Sequence, residues 1–108
     1  MAEHILHHLQ KKDKMSEEYK EVMSILQEEC AEVIQAVSKI NRFGIDNYKP
    51  GKPKTNREHL EEEMGDVLAM ICILEKMGVV HQAGLEAATK AKIEKLKKWS
   101  NIKNLENI

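Results

Sequence analysis

Apolar residues recur along this chain every three or four positions with charged residues between them, which is the spacing of amphipathic helices. Tyr19, Val22, Leu26, Cys30, Val33, Val37 and Ile40 form one such stripe and predict a long helix over residues 16–43. Ser16 is placed to cap it, Glu17 and Glu18 suit the positive end of its dipole, and Gly44 ends it. Ahead of it, residues 1–14 read as a short helix carrying Ile5, Leu6 and Leu9 and closing in a polar run. Residues 44–54 contain both prolines and read as a loop. Thr55-Asn56-Arg57-Glu58 has the spacing of a capping box and announces a second long helix. This helix runs to Met77 and stops at Gly78, with Leu60, Met64, Val67, Met70, Ile71 and Leu74 as its stripe. A third helix fits residues 82–99, striped by Leu85, Ala88, Leu96 and Trp99, with Trp99 in a core or a subunit interface. The weakly patterned tail, residues 100–108, is expected to fray or to dock on a partner subunit.

Composition sharpens this picture. Glu, Lys, Leu, Ile, Ala and Met are abundant while aromatics, Gly and Pro are few, so the fold class is all-α and a barrel or sandwich is excluded. At 108 residues the chain is one domain, residues 1–108: two long antiparallel helices plus a third major helix. The balance of 17 basic against 18 acidic residues argues against nucleic acid as a partner bound through bulk charge. Cys30 and Cys72 fall inside helices and read as small apolar residues in a reducing compartment. The longest uncharged apolar run, residues 67–74, is far short of the roughly 20 residues that span a membrane, and the first twenty residues lack the core of a signal peptide. No membrane partner and a cytoplasmic location are therefore expected. Residues 67–74 are also apolar nearly all round, because Leu68 and Cys72 point away from Val67. A helix of that kind needs cover on every side, so the bundle is expected to be completed by homo-oligomerisation.

The candidate chemistry lies in where the carboxylates fall. On the first long helix Glu29 sits at the edge of the apolar stripe, Glu32 follows one turn along, and Glu28 points largely away. On the second, Glu63 lies inside the stripe and Asp66 beside it. Glu29-x-x-Glu32-Val33 and Glu63-x-x-Asp66-Val67 are thus matching constellations, and antiparallel packing lets both pairs converge between the helices. Carboxylates drawn into such an interface need either Lys or Arg partners or a cation among them. With oxygen donors only, the cation is a hard one, Mg2+ or in its place Mn2+, rather than Zn2+. On the third helix Lys92 lies within the apolar stripe with Lys95 alongside, where a lysine either snorkels past its neighbours or is aimed at anions. His4, His7 and His8 read as an exposed helix face, and His59 and His81 carry no assigned role.

Leu26-Gln27-Glu28-Glu29-Cys30-Ala31-Glu32-Val33, followed by Leu60-Glu61-Glu62-Glu63-Met64-Gly65-Asp66-Val67-Leu68, resembles the paired acidic signature of MazG-like nucleoside triphosphate pyrophosphohydrolases of the all-α NTP pyrophosphatase superfamily. The likeness covers about residues 20–99 and is nearest to the short single-domain members of phages and bacteria. It implies hydrolysis of a nucleoside or deoxynucleoside triphosphate to the monophosphate and pyrophosphate with Mg2+, in a homodimer or homotetramer with sites near subunit contacts. It implies Glu29, Glu32, Glu63 and Asp66 as metal ligands, and Glu28 as an orienting group or a helper of the attacking water. Lys92 and Lys95 match basic positions that contact phosphates, although lysine stands throughout a segment where many relatives carry arginine. Asn41 and Arg42 close the first long helix either as ordinary C-terminal charge or as nucleotide contacts, with an aromatic over the base. Two other readings compete with the enzyme: a catalytically weak nucleotide-binding regulatory module, and a plain dimerisation bundle with salt-bridged acids.

Overall fold

The structure, a computed structural model, describes residues 2–48 and 51–108, with side chains from Glu17 onward. The described residues form three long helices, α1 (Ala2–Phe43), α2 (Asn56–Lys76) and α3 (Gln82–Trp99), a short 3-10 turn (Leu105–Asn107) and no strand. None of these helices is long and apolar enough to cross a membrane.

α1 is continuous through Ser16, so Ser16 is not a cap and the separate leader helix does not exist. No glycine or proline interrupts residues 2–43, and the intervening Lys and Glu are good helix formers. The reading of His4, His7 and His8 concerns side chains outside the described residues. At its other end α1 stops as expected: Gly44 takes a left-handed φ of +92° and donates its N–H to the Ile40 carbonyl at 2.8 Å.

The connecting loop is tied down more firmly than its prolines suggest. Asn56, buried at the start of α2, donates its side-chain amide to the Gly44 carbonyl at 2.8 Å, while its own N–H reaches the Asn47 carbonyl at 2.9 Å. The Arg57 N–H bonds the Ile45 carbonyl at 2.8 Å, and the Arg57 guanidinium meets Asp46 at 3.0 Å. The capping box forms as the sequence predicts: Thr55 Oγ1 accepts from the Glu58 N–H at 3.1 Å, and Glu58 Oε1 accepts from the Thr55 N–H at 3.2 Å. α2 ends at Lys76 with Met77 as its cap, and the chain then turns at Gly78, whose φ is +74°.

From this corner α2 returns antiparallel along α1, placing Glu29 beside Glu63 and Asp66 and, nearer the loop, Lys39 beside Asn56 and His59. The packed line of α1 consists of Val22, Ile25, Leu26, Glu29, Val33, Ala36 and Ile40; Cys30 and Val37, placed in the stripe by the sequence pattern, are exposed. α1 is apolar over a wider arc than a single neighbour covers, and α2 seats on the side of that arc nearer Glu29. On α2, Leu60, Glu63, Val67, Met70, Ile71 and Leu74 face α1, while Met64 is half exposed. α3 packs only marginally on the other two helices and buries no residue fully. Leu85, Ile93 and Leu96 are half-buried there, whereas Ala88 is exposed and Trp99 is 79% exposed. The tail does not fray: Asn104 turns it with a φ of +65°, and Leu105 is buried against its own chain.

Candidate metal centre

Two rigid helices carry the carboxylates, which is why spacing alone can aim them. Glu63 and Asp66 stand three positions apart on α2 and emerge on neighbouring sides of one turn. Glu29 projects from the packed line of α1 at the same level. One carboxylate oxygen of each lies within 4.8 Å of the others. Glu29 and Glu63 are half-buried, with the Glu63 side chain only 13% exposed, and Asp66 is exposed at the rim.

The electrostatics are those of crowded like charges. Burial, then the proximity of Asp66, Glu63 and Glu32, pushes the Glu29 carboxyl above its ordinary range. Among the described residues no lysine or arginine pairs with Glu29, Glu63 or Asp66, so the salt-bridged alternative does not apply to them. The one partner in reach is His59, one turn before Glu63, whose Nε2 lies 3.3 Å from Glu63 Oε1. Three convergent oxygen donors lacking a strong counter-charge fit a divalent cation of the hard, oxygen-seeking kind.

The remaining candidates occupy other places. Glu32 is exposed, outside the cluster but near enough to act on Glu29 through its charge. Glu28 is exposed on the outer side of α1. Asn41 and Arg42 are exposed at the end of α1, and the Arg42 guanidinium sits 4.9 Å from the centre of the Phe43 ring. Lys92 and Lys95 are exposed on α3 and touch none of the three carboxylates within a single chain.

Beside the cluster lies a cavity of about 330 Å³ lined by Lys39, Lys52, Pro53, Lys54, Asn56, His59 and Glu62. Lys54 Nζ is 2.5 Å from Glu62 Oε2, which holds the Glu62 carboxyl below its ordinary range. Sequence reasoning missed this group. Lys52 and Lys54 sit in a loop whose return path no periodicity specifies, and nothing in the spacing joins them to Lys39 and His59. The capping box next to Lys54 was the available signal, because it fixes where the loop must rejoin α2.

The family model for the MazG nucleotide pyrophosphohydrolase domain matches residues 17–101 of this chain. No curated protein and no solved structure matches it.

Proposed function

The chain belongs to the MazG nucleotide pyrophosphohydrolase family, and on that premise we propose that it hydrolyses a nucleoside or deoxynucleoside triphosphate to the monophosphate and pyrophosphate with Mg2+. The observation that carries this reading is the convergence of Glu29, Glu63 and Asp66 from two antiparallel helices with no lysine or arginine among the described residues paired to them. In the proposed site these three would hold the ion, with Glu32, exposed next to Glu29, as the fourth ligand that the family resemblance implies. Mg2+, when bound, supplies positive charge where the triphosphate would otherwise be repelled, together with Lewis-acid activation.

The chain's own residues do the positioning. Both helix backbones fix the angle between the carboxylates, and the Glu63 carboxylate is further held by His59. Glu28 orients the second shell or helps place the attacking water. In the reaction, the water oxygen bonds to the α-phosphorus and the bond from that phosphorus to the α,β-bridging oxygen breaks. Its electron pair leaves with pyrophosphate, and the proton of the water is released. Lys92 and Lys95 contact the phosphates, and Asn41 and Arg42 the nucleotide, in a homodimer or homotetramer. What supports a placement across chains is that α3 packs only marginally on the helices that carry the carboxylates of its own chain.

The test is pyrophosphate release from a panel of (d)NTPs with Mg2+ and with EDTA, on the wild type and on Glu63→Gln. Release that EDTA abolishes and Glu63→Gln lowers by about a hundredfold or more is expected for a residue acting in the transition state. Full activity in Glu63→Gln would sink the assignment. Nucleotide binding without turnover in the wild type would instead favour the regulatory module.

A further inference from the structure

We propose that the cavity lined by Lys39, Lys52, Lys54 and His59 is the subsite for the substrate's phosphate tail, so that the nucleotide lies with its β- and γ-phosphates toward the 51–55 loop and its nucleoside at the opposite side of the carboxylates. The proposal rests on the triphosphate reading above and adds to it both the residues and the direction in which the substrate lies.

Three observations carry it. The first is position: His59 borders the cavity and also stands 3.3 Å from Glu63, so the cavity opens directly beside the carboxylate cluster. A group held at the cluster by one phosphate therefore has the cavity as the next available space. The second is charge. Among the described lining residues there are three lysines against one carboxylate, Glu62, and Glu62 is engaged by Lys54. The cavity thus keeps an excess of positive charge next to a cluster of negative charge. A chain of phosphates extending from a cation-bound α-phosphate finds that arrangement complementary at both ends. The third is the character of the walls. Among the described lining residues Pro53 is the only apolar one, and the only ring besides it is the polar imidazole of His59. A base or a deoxyribose would find little to stack on or pack against there, whereas a polyphosphate needs donors and positive charge.

Reach is consistent with this. Lys39 follows Glu29 by ten positions on α1, about 15 Å along the axis, a span that a lysine side chain and a short polyphosphate fill between them. Lys39 is half-buried, so its stem is held by the helix pair and only its ammonium needs to be aimed. The phosphate contacts expected on α3 therefore have a complement within the same chain.

The experiment uses the full chain and inorganic pyrophosphate as the probe, titrated calorimetrically with Mg2+ present. Lys39→Met and Lys52→Met should each weaken pyrophosphate binding by about tenfold or more, as loss of a charge-assisted contact implies. Glu62→Gln removes the only negative charge among the described lining residues and should tighten it, a change that general loss of structure cannot mimic. Affinity for a nucleoside monophosphate should stay within about twofold in all three variants, and stabilisation by Mn2+ should persist, showing that the carboxylates are intact. Pyrophosphate binding that is absent in the wild type or indifferent to both lysines would overturn the proposal. So would variants that weaken monophosphate binding alone, because the cavity would then hold the nucleoside. Lysine-dependent pyrophosphate binding in a protein that hydrolyses no NTP would uphold the subsite while the triphosphate hydrolase reading fails.

Discussion

Glu29 is crowded by the like charges of the cluster. It sits on the line where α1 packs against α2, with Glu63 and Asp66 within reach and Glu32 behind, and it has no basic partner. In the metal-free protein at neutral pH that crowding opposes folding. Glu29→Gln removes one charge at nearly constant volume, so its melting temperature without metal should exceed that of the wild type. The rise that the wild type shows on adding Mg2+ or Mn2+ should shrink or vanish in the variant, because a neutral amide is a poorer ligand for a hard cation. Thermal denaturation of both proteins with and without the ion checks this; a variant stabilised by metal as strongly as the wild type would remove Glu29 from the site. These carboxylates were legible in the sequence because a helix converts spacing into angle, and both helices keep their axes through the motif. Lys39, Lys52, Lys54 and His59 were not legible as a group. Their meeting depends on the path of the loop and on the side from which α2 approaches α1, which are long-range outcomes of packing.

The elements end where local chemistry tells them to. Thr55 and Glu58 close their reciprocal bonds at the head of α2, and Gly44 and Gly78 take left-handed turns after α1 and α2. Thr55→Ala should cost about 1 kcal/mol of stability, measured by denaturant unfolding. The pH dependence of this cap has a definite sign. The Thr55 backbone N–H and then its hydroxyl hold the Glu58 carboxyl below its ordinary value of 4.5. A carboxyl whose pKa is lowered by folding contributes stability above its unfolded value and loses that contribution as pH falls through the lower folded value. The gap in melting temperature between wild type and Glu58→Ala should therefore be full at neutral pH and close below pH 4.5; a gap unchanged in acid would mean that Glu58 acts here without its charge. Helix ends were readable because caps are written within four residues. The phase of the packed stripe was less so. Cys30 and Val37 are as apolar as their neighbours, and only the approach of α2 on the side of Glu29 and Ala36 decides that they stay in solvent. The unbroken passage of α1 through Ser16 has a local origin instead: no glycine or proline interrupts residues 2–43, and a good capping residue acts as a cap only where the helix actually begins.

At the scale of the whole molecule, a radius of gyration of 19.3 Å over extents of 63 × 40 × 17 Å is far from the roughly 13 Å of a compact chain of this length. The helix pair explains why. Both helices are right-handed and run antiparallel, so residues offset in the same sense from their line of contact emerge on the same side of the pair. Glu32 and Asp66 emerge on one side with Lys39, His59 and Glu62. Met23, Cys30, Ile34 and Val37 of α1 emerge on the other with Met64 and Leu68 of α2, all of them exposed. One side of the hairpin therefore carries the charged cluster and the other is an apolar surface shared by two helices, which is the surface a second copy of this chain would cover in the proposed assembly. Ile34 is 70% exposed and Leu68 is 61% exposed, so replacing either by glutamate costs little within one chain but places a charge in the proposed interface. Ile34→Glu and Leu68→Glu should sediment as folded monomers at concentrations where the wild type sediments as a dimer or larger. Because Lys92 and Lys95 stand clear of the carboxylates of their own chain, the proposed assembly also predicts how activity responds. The monomeric variants should still gain melting temperature with Mn2+, since Glu29, Glu63 and Asp66 come from one chain, yet release pyrophosphate far more slowly. A monomer as active as the wild type would confine the whole reaction to the helix pair and its lysine-lined cavity, and would leave α3 outside the site.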